Sequence, residues 1–81
     1  MNEDHLKIWN SIELIANSNG LTVSGLARKA GLDPTIFNKS KRFHPSGKRR
    51  WISMESLSKV LYVMGMDWEE FGRYMKMIWP D

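Results

Sequence analysis

Gly31 splits residues 20–42, GLTVSGLARKAGLDPTIFNKSKR, into two short segments of helical apolar pattern, and a pair that short can bury its faces in few ways. Two short helices crossing steeply need a small side chain where the backbones come closest. They also need a residue tolerant of positive φ at the bend, and an apolar knob from the second helix to lock the pair. Ala27, Gly31 and Phe37, at offsets of four and six residues, meet those needs in order. Leu26, Ala30 and Leu32 fill the inward-facing apolar positions.

The flanking sequence reads as further helices. Ile8, Ile12 and Ile15 recur at four- and three-residue steps with Trp9 beside them, which predicts a first helix over 3–17 that stops at Asn17-Ser18-Asn19-Gly20. Thr22 is the expected N-cap of a second helix over 23–30. Gly25 inside it is unfavourable by up to ~1 kcal/mol relative to alanine, which suggests a close contact there with helix one or with a bound backbone. Asp33 as cap and Pro34 at the first helical position open a third helix, running to residue 41. Residues 42–52 hold Pro45, Gly47 and three consecutive cations, and form a loop longer than a tight domain needs.

Ser53 caps a fourth helix, whose apolar face is Leu57, Val60, Leu61 and Met64 and whose stop is Gly65. Asp67 with Glu70 three residues on is an aspartate form of the capping box, opening a fifth helix striped by Phe71, Tyr74, Met75 and Ile78 and stopped at Trp79-Pro80. No strand pair, repeat or low-complexity segment is predicted. The fold class expected is all-α, a compact five-helix bundle forming one domain over 1–81.

At 81 residues the chain can bury a core but not an elaborate active site with its scaffold. It has no cysteine, which excludes disulfides and thiolate metal sites. His5 and His44 lie far apart with no carboxylate pattern around either, and no titratable pair has catalytic spacing, so neither an enzyme nor a metal or other cofactor is expected. No apolar run approaches the ~18–20 residues of a membrane span, and the acidic start Met1-Asn2-Glu3-Asp4 is unlike a signal peptide. The expectation is a soluble, cytoplasmic protein.

The net charge of +3 hides a strong segregation. Residues 22–52 carry eight cations (Arg28, Lys29, Lys39, Lys41, Arg42, Lys48, Arg49, Arg50) against the single acid Asp33, a net +7. The remainder carries four cations against eight acids, a net −4. A chain tuned only for solubility would intersperse its signs, whereas a polyanion-binding face requires this separation. A solvated charged loop is the alternative reading of residues 42–52.

The segment GLARKAGLDPTIFNKSKR with its following basic loop resembles the helix-turn-helix of the phage-repressor-like (lambda-repressor-like) DNA-binding domains, and is similar to the N-terminal part of repressors that carry a peptidase-like C-terminal domain. Leu26, Ala27, Gly31 and Phe37 carry the motif's structural logic over residues 23–42. The resemblance implies a sequence-specific regulator of transcription, a repressor in the first reading, with the helix over 34–41 in the major groove of double-stranded DNA. It assigns base contacts to Pro34, Thr35, Asn38 and Lys39. Asn38 suits a bidentate pair with adenine, Lys39 the acceptors of guanine, and Thr35 the methyl of thymine. Phosphate contacts fall to Thr22, Arg28, Lys41, Arg42, Lys48, Arg49 and Arg50. For Lys48-Arg49-Arg50, backbone contact is favoured over a flexible arm in the minor groove. Trp51 is expected to anchor the loop in the core rather than to stack on bases.

Two departures from the pattern stand out: Phe37 replaces a β-branched aliphatic residue, and Ser40 replaces a larger apolar one. The operator is expected to be palindromic and read by a homodimer, with Tyr74, Met75, Met77, Ile78 and Trp79 of the last helix as the candidate interface. Localisation would then be with the nucleoid. Two alternatives stay open: the DNA-binding fragment of a longer repressor regulated by self-cleavage, and an antitoxin-like protein-binding module.

Overall fold

The computed structural model describes residues 4–78 and contains four α-helices: α1 (Asp4–Ser18), α2 (Val23–Lys29), α3 (Met54–Val63) and α4 (Trp68–Ile78). No helix among the described residues is long and apolar enough to cross a membrane. Helix α1 packs against both α4 and α2, while α2 also meets α3. Its inner stripe of His5, Trp9, Ile12, Ile15 and Ala16 steps by four and three residues, so all five are buried. Ser11 shares that burial and satisfies its hydroxyl by donating to the Lys7 carbonyl at 2.6 Å.

Helix ends follow the local chemistry of the sequence. Thr22 Oγ1 accepts from the Gly25 amide at 3.0 Å and Ser53 Oγ from the Ser56 amide at 3.0 Å, each covering an orphan donor of the first turn. Asp67 and Glu70 complete the expected capping box, the Glu70 amide donating to Asp67 Oδ1 at 2.8 Å and the Asp67 amide to Glu70 Oε1 at 3.2 Å. Helix α2 closes in a Schellman motif, with Leu32 N–H to the Ala27 carbonyl and Gly31 N–H to the Arg28 carbonyl. The motif needs a left-handed residue, which Gly31 supplies at φ +73°. The same pattern recurs where α1 and α3 end, at Gly20 and Gly65. The close contact suspected at Gly25 is internal to α2: a Cβ there would lie 3.3 Å from the oxygen of the Thr22 cap.

The third helix expected over 34–41 is not an α-helix. Its hydrogen bonds span three residues, from Ile36 N–H to the Asp33 carbonyl, Asn38 to Thr35, Lys41 to Asn38 and Arg42 to Lys39. Only Lys39–Lys41 forms a 3-10 turn, and Asn38 before it is extended at ψ 149°. Three residue choices explain the change. The Asp33 carboxylate closes on Thr35 alone, accepting from its amide at 2.8 Å and its hydroxyl at 2.7 Å, a tight Asx turn that caps the first turn and reaches no further. Thr35, Ile36, Asn38 and Ser40 are weak helix formers. Ser40 is polar and exposed, so a second helical turn would have nothing to bury after Phe37. Four helices and a 3-10 turn therefore replace the five helices expected.

Phe37 is nonetheless buried, edge-on to the Trp9 ring at 6.5 Å between centroids. It joins Leu26, Ala27, Leu57, Val60, Leu61 and Phe71 in one core with the α1 stripe. Of the four residues assigned structural roles, Leu26, Ala27 and Phe37 are buried in the core and Gly31 stands at the bend after α2.

Candidate nucleic-acid interface

The basic loop is a small hairpin. Phe43 and Arg49 form an antiparallel bridge, His44 N–H donates to the Lys48 carbonyl at 2.8 Å, and Arg50 N–H donates to the Arg42 carbonyl at 3.0 Å. Pro45 follows His44 in the turn and Gly47, at φ +88°, returns its N–H to the His44 carbonyl. A three-residue tip with a left-handed glycine is a standard hairpin closure. Sequence reading sees Pro45 and Gly47 but not the pairing, because one bridge carries no alternating apolar pattern.

Helix α1 holds both ends of this hairpin. His5 Nε2 lies 2.8 Å from the Arg42 carbonyl oxygen and 3.1 Å from that of Arg50. Both are acceptors, so Nε2 carries the ring proton. Trp9 Nε1–H donates to the Arg50 carbonyl at 3.0 Å. The His5 ring is 2% exposed and lies among Trp9, Phe43 and Trp51, at centroid distances of 6.4, 5.0 and 5.4 Å. Trp51 is itself 50% exposed, so it covers His5 from outside and does not enter the core as expected. His5, read from sequence only as a residue without metal partners, is a junction. Its place on the apolar stripe of α1, four residues before Trp9, is the signal that marks it.

Arg42 departs most from the role given to it. Its guanidinium pairs with Glu13 at 2.9 Å, donates to Asn10 Oδ1 at 3.0 Å and lies 5.9 Å from the Trp9 ring centre. The side chain is 15% exposed. An arginine held this way locks the start of the hairpin to α1. The side chain expected to contact a phosphate is thus engaged within the fold by Glu13 and Asn10.

The other assigned residues stay on or near the surface. Arg28, Lys39, Lys48, Arg49 and Arg50 are exposed, as is the unassigned cation Lys29, and Lys41 is half-buried. Thr22 is exposed, with its oxygen engaged in the α2 cap. Among the proposed base-reading residues, Thr35 and Lys39 are exposed while Pro34 and Asn38 are half-buried. The Thr35 hydroxyl is committed to Asp33, whereas the Asn38 side chain makes no capping bond to the 3-10 turn. The Thr35 hydroxyl and amide beside Asp33 hold its carboxyl below the ordinary carboxylate value, so the one acid of the basic segment stays ionised.

Trp9 ties the two parts of the surface together. Its ring meets Phe37 of the turn segment, and its indole N–H meets Arg50 of the hairpin. A cleft of about 200 Å³ opens between them, lined by Trp9, Ile36, Arg50, Trp51, Ile52 and Ser53, with Ser56 behind. At the other candidate surface, Tyr74 and Met75 pack against the core, while Met77 is 68% exposed. Trp79 lies outside the described residues. No family model, curated protein or solved structure matches the chain.

Proposed function

We propose that the chain is a sequence-specific binder of double-stranded DNA that regulates transcription, a repressor of the phage-repressor-like helix-turn-helix kind. One observation carries the reading: Trp9 fastens both the turn segment and the hairpin to α1, so two cationic stretches of the chain, one with Lys39 and Lys41 and the other with Lys48, Arg49 and Arg50, are neighbours on one scaffold. Six exposed cations lie between residues 28 and 50, with Asp33 as the one acid among them. A concentration of that kind favours a polyanion through counterion release. Lys39 and Asn38 on the turn segment are the proposed base readers, and Lys48 and Arg49 the proposed phosphate contacts.

The segment presented to the major groove would be a succession of tight turns and not a rigid helix, so its base contacts would be fewer and adaptable. Pairing of two copies on a palindromic site would compensate, with Met77 on α4 as part of the interface.

Selection of bound sequences from a random duplex pool tests the reading. Enrichment of a palindrome supports both base readout and paired binding; no enrichment overturns sequence-specific recognition. A protein-binding module is the second reading, favoured by the exposure of Tyr62 at 86% and Met54 at 67% on α3. Its signature is salt-insensitive binding to a protein without affinity for DNA.

A further inference from the structure

The hairpin sits on α1 through backbone oxygens, and one imidazole reaches both of its ends. From this we infer that His5 is a positioning residue for the DNA-binding surface: by donating Nε2–H between the Arg42 and Arg50 carbonyls, it holds the basic hairpin in one conformation before DNA arrives. The inference rests on the DNA-binding reading above and assigns a role to a residue that touches no DNA itself.

Four observations converge on it. The two carbonyls belong to opposite strands of the hairpin, and the Arg50 N–H donates across it to the Arg42 carbonyl. A donor placed between them therefore fixes the base of the hairpin as a unit. The ring is 2% exposed, so water does not compete for that donor. Its Nδ1 is buried with no partner, so a proton there would be a buried donor left unmade, whereas a proton on Nε2 has two acceptors. Finally, Phe43 and Trp51 close over the ring from either end of the hairpin, adding aromatic contacts at 5.0 and 5.4 Å.

The consequence concerns affinity. A flexible loop must lose its conformational freedom when its cations meet phosphates, and that loss subtracts from binding. Lys48 and Arg49 lie between the two held ends, on a hairpin whose cross-strand bonds are already formed. They reach the duplex with little further ordering, so His5 raises affinity through residues several positions away.

The test is a double-mutant cycle on a random-sequence duplex of about 20 base pairs, where phosphate contacts dominate binding. His5→Phe keeps an aromatic ring and removes the donor. It is expected to weaken binding by about tenfold, the equivalent of re-ordering roughly one residue of backbone at the moment of binding. In a Lys48→Ala/Arg49→Ala background the same change is expected to have no effect on affinity. His5→Gln, whose side-chain nitrogen lies the same number of bonds from the backbone as Nε2, is expected to restore binding to within about twofold of the parent.

Equal loss in both backgrounds, or none in either, overturns the inference while leaving DNA binding intact. A parent protein with no affinity for any duplex overturns the functional reading and the inference with it. Amide hydrogen exchange on the unmodified protein covers the case in which His5→Phe does not fold. Slowed exchange at His44 and Arg50 is expected, and exchange there as fast as in an open chain overturns the inference.

Discussion

Arg42 and Glu13 face each other at 2.9 Å across the junction of the basic hairpin and α1, and this pair separates the cations that hold the molecule together from those free to bind. The arginine is largely covered and stands over Trp9, whereas Arg49 and Arg50, on the same hairpin, are exposed.

Arg42→Ala is accordingly expected to lower stability by about 1–3 kcal/mol, since it removes a charge-assisted pair and a bond to Asn10. Urea unfolding measures the loss. The slope of DNA affinity against salt is expected to stay unchanged; a drop of about one unit would show that Arg42 contacts a phosphate after all.

Lys48→Ala has the opposite signature. Binding to specific and random duplexes is expected to weaken alike, with the salt slope reduced by roughly one unit and the unfolding midpoint unmoved. Asn38→Ala is expected to cost about 1–3 kcal/mol of discrimination at a single base step and leave random-sequence affinity alone. Competition titrations with single-base variants of a selected site distinguish the two.

Asp33 gives a pH dependence with a definite sign. Its carboxyl titrates below the ordinary value because Thr35 hydrogen-bonds the charged form. The stabilisation is therefore present above the unfolded-state value and is lost as pH falls through the lowered folded value. Thr35→Val removes the hydroxyl donor, and the Asp33 titration followed by NMR is expected to move up toward the ordinary value. An unmoved midpoint would mean that the backbone amide alone sets it.

Gly31→Ala tests the bend. No atom lies within 4 Å of a Cβ built there, so the cost comes from the left-handed backbone alone. About 1–2 kcal/mol is expected, with Gly31→Asn milder because asparagine tolerates that region better. Thermal unfolding of the two variants gives the ranking; equal midpoints for alanine and glycine would contradict it.

How far the fold was legible follows from where its information is stored. Thr22, Ser53 and the Asp67–Glu70 box act within four residues of themselves, so their sequence signatures translate directly into helix starts. The apolar stripes of α1 and α3 are equally local. Asp33-Pro34 gave the same kind of signal, but a cap only starts a helix; Ser40 removes the apolar contact that would have sustained it. The residues proposed to read bases thereby lost the regular spacing on which their assignment depended. Arg42, His5 and Asn10 were opaque for another reason. Their partners lie roughly thirty to forty residues away, and nothing in a charge count tells a cation that meets an acid across the fold from one that meets only solvent.

The way the hairpin is attached also bears on how such a chain can change. His5 and Trp9 grip carbonyl oxygens, which every amino acid provides, and the grip falls at residues 42 and 50 rather than at the tip. Residues 44–49 can then be exchanged, shortened or extended without disturbing the points of attachment, so long as the chain still returns to the same two oxygens. The hairpin is in this sense an interchangeable cartridge on a fixed mount, a place where charge and reach can diversify while the core that carries them stays the same.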